Sequence, residues 1–155
     1  MPEEIQHQAP KKNKLFGLPQ EDGSLLVGKA GKQNGKNLYM WSMDLPGTYS
    51  PLQARKCTVA FNEYAPHSFR IPTEKEMRLI AQVLNKASVS PDVKASFDMA
   101  GRYLTAATHN ELIAVPGYEN FVAIKMSTAS PVKCSANNDA LQEDDGAKLR
   151  LVCLR

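Results

Sequence analysis

The sequence predicts an α+β fold, in which two helices pack on a mostly antiparallel sheet. Two observations support this prediction. Residues that cap helices precede two apolar, helix-like segments, and after residue 88 the apolar residues fall into short runs typical of strands. The chain has 155 residues, of which 43% are hydrophobic, which is enough for one core. We expect one domain over 15–155, preceded by a polar, flexible arm over 1–14.

The first part of the domain is predicted to be β-structure. The apolar stretch 15–28 is broken at Glu21-Asp22-Gly23, which predicts a hairpin. The apolar run 38–43 predicts a strand that ends at a turn over 45–47. Between these strands, 28–36 contains no acidic residue and three lysines, Lys29, Lys32 and Lys36. It lacks the spacing of a phosphate-binding P-loop, so it is either a solvated hairpin loop or a loop that binds anions.

Two segments have the features of helix starts. Ser50 followed by Pro51 predicts the first helix. Its apolar stripe, at a spacing of three and four, consists of Ala54, Cys57, Ala60, Phe61 and Tyr64. Thr73 is placed to cap the second helix, over about 74–87, with Glu76 completing a capping box. This helix is apolar over half of its circumference, so we expect it to be covered on more than one side.

The part of the chain after residue 88 is predicted to form strands over 102–105, 121–126 and 148–154. The connection 127–147 is rich in Ser, Asn, Asp and Gly, and it is predicted to be a long irregular loop. Such loops in compact domains are usually functional or disordered. It contains the basic residue Lys133. It also contains Asn137, Asn138 and Asp139, whose side-chain oxygen atoms, with those of 143–145, suit calcium. A solvated acidic loop explains the same residues, and we predict no metal and no cofactor.

Three segments, in order, resemble motifs of one family. The segments 70–77, 101–108 and 149–155 resemble the W-R-L-P-T-x-x-E-L, G-x-Y-W-S-S-T and V-R-C-V-R motifs of bacterial C-type-lectin-like domains. The group that they resemble most is named after the C-terminal domain of a collagen-like adhesin. The chain departs from these motifs where Phe69 and Leu104 replace tryptophans and where Ala106 and Ala107 replace a serine pair.

This resemblance implies a C-type-lectin-like fold with a disulfide between Cys57 and Cys153. Cys134 would then be unpaired. The alternative is that the cysteines are buried free thiols. A disulfide implies an extracytoplasmic location, periplasmic or on the cell surface, whereas reduced cysteines imply the cytoplasm. The first fifteen residues contain no apolar run, so a signal peptide would have to precede Met1.

The resemblance also implies a non-catalytic binding or adhesion module of the cell envelope. The charged and polar loops favour an anionic polysaccharide or a protein as the partner. The candidate ligand-binding residues are Lys29, Lys32, Lys36, Lys133, Asn137, Asn138 and Asp139. The alternative is a structural subunit of a secretion-system, envelope or phage assembly, and a homo-oligomer is compatible with either.

Other classes receive less support. The segment 70–77 also resembles formylglycine-generating oxidases, but Cys134 and Cys153 do not match their copper-binding pair, so we expect no enzyme. The net charge is +3, from 19 basic and 16 acidic residues, which does not favour nucleic-acid binding. No apolar run is long enough to span a membrane.

Overall fold

The computed structural model describes residues 16–29, 35–65, 67–86, 89–113, 115–139 and 146–155. The predicted arm 1–14 and Lys32 lie outside these ranges. In chain order the elements are β1 (Leu18–Pro19), β2 (Ser24–Lys29), β3 (Asn37–Trp41), β4 (Leu45–Tyr49), α1 (Pro51–Asn62), α2 (Glu74–Leu84), α3 (Pro91–Ala95), β5 (Arg102–Leu104), β6 (Tyr118–Lys125), β7 (Ser130–Asn137), β8 (Ala147–Leu149) and β9 (Val152–Leu154).

The strands form two sheets, which confirms the predicted α+β class. The four-stranded sheet has the order β1-β2-β3-β9, and the five-stranded sheet has the order β4-β8-β5-β6-β7. The pairing between β5 and β8 is parallel, and the other pairings are antiparallel. The prediction of one strand over 148–154 is wrong, because the chain leaves the five-stranded sheet after β8 and enters the other sheet at β9.

The predicted N-terminal hairpin is present. β1 pairs with β2, and the turn is closed by Gln20 N–H donating to Ser24 O at 2.8 Å. Gly23 has φ +90°, and a Cβ there would lie 2.9 Å from the Trp41 ring, so both the turn and the packing require glycine. The predicted turn over 45–47 is instead strand β4. β4 lies at the edge of its sheet, where a proline costs no ladder hydrogen bond.

Helix α1 starts where predicted but is less buried than expected. Ser50 Oγ accepts from Gln53 N–H at 3.2 Å, and Gln53 Oε1 accepts from Ser50 N–H at 3.0 Å. Of the predicted stripe only Ala54 is buried, and Tyr64 is 90% exposed. The helix ends at Asn62, so Tyr64 lies beyond its last turn.

Helix α2 has the predicted capping box. Thr73 Oγ1 accepts from Glu76 N–H at 3.1 Å, and Glu76 Oε1 accepts from Thr73 N–H at 2.9 Å. One face is fully buried, through Met77, Ile80, Ala81 and Leu84. Leu79 is 37% exposed, so the expectation that the helix is covered on more than one side is wrong.

The predicted irregular loop over 127–147 contains a regular strand. β7 pairs with β6 over eight residues, from Ser130 opposite Lys125 to Asn137 opposite Tyr118. Its side chains alternate, with Val132, Cys134 and Ala136 packed in the core. The residues that alternate are small and only weakly apolar, and the segment as a whole is polar in composition. The sequence pattern therefore did not predict a strand here.

The five-stranded sheet has a core on each side. Tyr103 and Ile124 lie in the same apolar cluster as the buried residues of α2. Leu104 and Ala123 lie in a second cluster, which includes Ala54 of α1. We call these two sides the α2 face and the α1 face.

All three cysteines are free thiols, so the predicted disulfide between Cys57 and Cys153 is not formed. Cys57 Sγ lies 3.7 Å from the Tyr49 hydroxyl, next to β4. Cys153 lies on β9, in the other sheet, opposite Tyr39. Burial raises the pKa of both Cys134 and Cys153, which favours their protonated form. Among the helices in the described ranges, none is long and apolar enough to cross a membrane.

Candidate functional site

A cavity of about 430 Å³ opens at one end of the five-stranded sheet. Every strand of this sheet contributes to it, together with the loop that follows α3. The charged and polar side chains that line it belong to Thr48, Asp98, Arg102, Lys125 and Lys148. The cavity is therefore built where β4 ends, β5 and β8 begin and β6 ends.

Two cations of the cavity face each other across neighbouring strands. Arg102 on β5 is directly opposite Lys125 on β6. Each lies two residues from a residue of the α1 face, Leu104 and Ala123, so both side chains point to that face. Like charges placed directly opposite each other in a sheet are destabilising. The register therefore places two positive charges next to each other at the cavity.

Lys148 adds a cation from β8, the strand on the other side of β5. Its side chain points to the α2 face, because Ala147 and Leu149 on either side of it lie on the α1 face. Asp98 is the one acidic residue among the described residues that line the cavity. Within the described ranges, neither Lys125 nor Lys148 takes part in an ion pair. The described residues of the lining thus have an excess of positive charge, and a concave surface concentrates the field of such charges.

Backbone contacts fix the position of Arg102. Its Nε and one terminal nitrogen donate to Gly146 O at 3.3 and 3.1 Å. A Cβ on Gly146 would lie 2.8 Å from the backbone N and O of Tyr49. Glycine at this position is therefore needed for β8 to approach β4, and this approach shapes one wall of the cavity.

A buried polar network supports the wall on the side of Asp98. Arg150 is 1% exposed and lies between the two sheets. It donates to Asp44 at 3.0 Å and to Ser96 O at 2.6 Å, and its guanidinium lies 3.7 Å from the centre of the Phe97 ring. Burial lowers the pKa of Arg150, and the carboxylate of Asp44 opposes this shift.

Tyr103 joins this network to the cavity. Its hydroxyl donates to Asp44 at 2.7 Å and accepts from Asp98 N–H at 2.9 Å. Burial, together with the carboxylate of Asp44, raises the pKa of Tyr103 well above its ordinary value. The phenol therefore stays protonated and keeps both hydrogen bonds, which hold the backbone of Asp98 in place.

The structure does not bring the predicted ligand-binding residues into one site. Lys29 ends β2 and Lys36 precedes β3, both in the four-stranded sheet, while Lys32 lies outside the described residues. Lys133 lies on β7 and pairs with Glu111 at 2.9 Å. None of the six predicted residues within the described ranges lines the cavity.

The predicted polar cluster lies at the end of β7. Asn137 Oδ1 accepts from Asp139 N–H at 2.9 Å, and Asn138 Nδ2 donates to Glu119 at 3.4 Å. Asn138 Oδ1 is buried without a hydrogen-bond partner among the described residues. Residues 143–145 lie outside the described ranges, and in the remainder no group of three His, Cys, Asp or Glu side chains is placed to hold a metal.

The sequence analysis missed Lys125 and Lys148 because each is an ordinary lysine at a strand end. Arg102 lies in the segment 101–108 of the family resemblance, but that resemblance gives it no ligand-binding role. Arg102, Lys125 and Lys148 come to line one cavity through the register of β5, β6 and β8, which pairs residues that are far apart in the chain.

Comparisons of this chain with protein-family models, with curated proteins and with solved structures give no match.

Proposed function

We propose that this chain is a non-catalytic binding module that holds an anionic group of a polysaccharide or protein partner in the cavity. The observation that carries this proposal is the pair of cations, Arg102 and Lys125, placed directly opposite each other on the α1 face in the lining of the cavity. A sulfate, phosphate or carboxylate group between them can accept charge-assisted hydrogen bonds from both side chains.

The arrangement suits binding better than catalysis. The cavity residues within the described ranges include one carboxylate and one hydroxyl, Asp98 and Thr48, and no histidine or cysteine. A nucleophile needs a neighbouring base that accepts its proton. The lining supplies charge and shape instead, which are what recognition of an anion requires.

We also propose that the fold is C-type-lectin-like and that the module works at the cell surface or in the envelope. The placement of the three resembling segments supports the fold. Segment 70–77 begins at Arg70, whose backbone exchanges two hydrogen bonds with Val152 of segment 149–155, at 2.8 and 2.9 Å. Segment 101–108 contains β5, which carries Arg102 into the cavity. The free thiols give no support to the proposed location, which rests on the resemblance.

The test is calorimetric titration with a sulfated hexasaccharide, at low salt and again at raised salt. The variant combines Lys125→Gln with Lys148→Gln. We expect its affinity to fall by about tenfold or more, because a hydrogen bond to a charged group contributes on the order of 1.5–3 kcal/mol. Its affinity should also depend less on salt, because fewer cations take part.

The matched control combines Lys56→Gln with Lys86→Gln, which removes the same charge from two exposed lysines outside the cavity. We expect the control to bind nearly as well as the wild type. Equal weakening by the two variants would show that binding follows total charge and not the cavity. No binding by the wild type at low salt would refute the proposal.

A second candidate function is that of a structural subunit that uses this fold for protein contacts. It is supported by the exposed apolar side chains of Leu112, Ile113 and Val115, of which Ile113 is 86% exposed. Apolar residues that are exposed close together often mark protein interaction sites. Failure of the sulfated probe to bind would make this the preferred proposal.

A further inference from the structure

Among the described strands, β7 is an outer strand of the five-stranded sheet. It pairs with β6 along its whole length of eight residues, and none of the other described strands pairs with its second edge. An outer strand of this length carries a row of backbone groups that can pair with another strand.

The direction of these backbone groups follows from the hydrogen bonds of β6. Val122 N–H donates to Ala107 O at 2.9 Å, and Val122 O accepts from Thr105 N–H at 3.2 Å. The backbone groups of Val122 therefore point away from β7. Because Val122 is opposite Lys133, that pair is not hydrogen-bonded, and the N–H and C=O of Lys133 point outward from the sheet.

The same orientation recurs at every second residue of β7. The backbone of Pro131, Ser135 and Asn137 points outward with that of Lys133, whereas Val132, Cys134 and Ala136 bond to β6. Within the described parts of the chain, the N–H groups of Lys133 and Ser135 have no backbone partner. Both are free to donate to an added strand.

Lys133 is the residue of β7 that would be expected to discourage pairing at this edge, but its side chain is bound to another residue. Lysines on outer strands discourage pairing because their charge would be buried. The ammonium group of Lys133 is bound to Glu111 at 2.9 Å, and Glu111 belongs to the segment that follows β5. Val132 and Cys134 lie on the α1 face, so the side chain of Lys133, between them, points to the α2 face. Glu111 therefore compensates the charge of Lys133 on that face.

The outward backbone groups of β7 are complementary to the same groups of a second copy of β7. If a second copy of β7 lies antiparallel with Cys134 opposite Cys134, then Lys133 is opposite Ser135 of the second copy. These two residues exchange both of their backbone hydrogen bonds. Pro131, which has no N–H, is opposite Asn137, whose N–H can donate to Pro131 O. This register also keeps the two Lys133 side chains from facing each other.

We propose that two copies of this chain associate through β7, antiparallel and about a two-fold axis at Cys134, so that their five-stranded sheets become one continuous sheet. The interaction does not involve the cavity, because the strand groups that it uses face away from β6. A contact made by one strand from each copy is small, so we expect a weak dimer that forms at high protein concentration.

The test is sedimentation equilibrium of the wild type over a wide range of concentration, compared with Ser135→Pro and Ser135→Ala. Proline at this position removes an outward N–H and no hydrogen bond to β6, so the monomer should keep its fold. We expect the wild type to dimerise, Ser135→Ala to behave like it, and Ser135→Pro to weaken association by about tenfold or more, because two symmetric hydrogen bonds are lost.

A wild type that stays monomeric at the highest concentration overturns the proposal, as does a Ser135→Pro variant that dimerises normally. If Ser135→Pro does not fold, amide hydrogen exchange of the wild type decides. Exchange of the Lys133 and Ser135 amides that slows as the protein concentration rises supports the interface. Fast exchange of these amides at concentrations where the protein is dimeric places the interface elsewhere and overturns it.

Discussion

The buried pair of Arg150 and Asp44 allows a prediction with a defined magnitude. Asp44→Asn keeps the size of the side chain but removes the charge that faces the guanidinium. Arg150 is 1% exposed and cannot turn to water without opening the contact between the sheets. A buried charge left without its partner costs about 3–5 kcal/mol. Since a domain is typically stable by about 5–15 kcal/mol, this is a large part of the total.

The assay is urea denaturation followed by the fluorescence of Trp41, whose carbonyl oxygen accepts from Arg150 at 3.4 Å. The control is Glu119→Gln, which breaks the more exposed ion pair with Arg55, at 3.0 Å, and which should cost less than about 1 kcal/mol. The double variant Asp44→Asn with Arg150→Met should recover much of the loss, because no charge remains buried. A loss below about 1 kcal/mol for Asp44→Asn alone would refute this reasoning.

Further predictions concern stability. Burial alone would raise the pKa of Glu76. The hydrogen bonds and charge of Arg70, together with the hydrogen bond from the Thr73 backbone, outweigh burial and lower this pKa from its ordinary value of 4.5. A group whose pKa is lowered on folding stabilises the fold above its unfolded pKa. The stabilisation by Glu76 should therefore disappear as pH falls below about 4.5. The Glu76→Gln variant should lose less stability than the wild type over the same fall in pH. Thr73→Ala should cost about 1 kcal/mol through the lost cap. Leu84→Ala should cost about 2–5 kcal/mol through the cavity that it leaves, and equal midpoints for these two variants would contradict the packing of α2.

The features predicted correctly from the sequence are local ones. The start of α1 was predicted from Ser50 followed by Pro51, and the cap of α2 from Thr73 and Glu76, which are three positions apart, so short sequence patterns contain the signal for both helix starts. The first hairpin likewise depends on one turn with a glycine at positive φ.

The features that were missed depend on long-range register. Arg150 lies within the predicted strand over 148–154, yet it is buried between the sheets because the chain passes there from one sheet to the other. The cavity requires Lys125 to meet Arg102, and Lys148 to lie on the strand beside it. No pattern along the chain specifies these pairings, since they follow from how β5, β6 and β8 align.

The crossing of the chain between the sheets also bears on how the protein folds during synthesis. Among the described strands β4 pairs only with β8, and β8 separates it from β5, so within this part of the chain residues 45–49 have no strand partner until 147–149 leave the ribosome. β3 can pair with β2 early, but it lacks its second neighbour until β9 has been synthesised. Contacts that join such distant parts of a chain slow folding, and unpaired apolar strands are open to aggregation in the meantime. We therefore expect the two sheets to be completed in one late, cooperative step, after both helices have been synthesised.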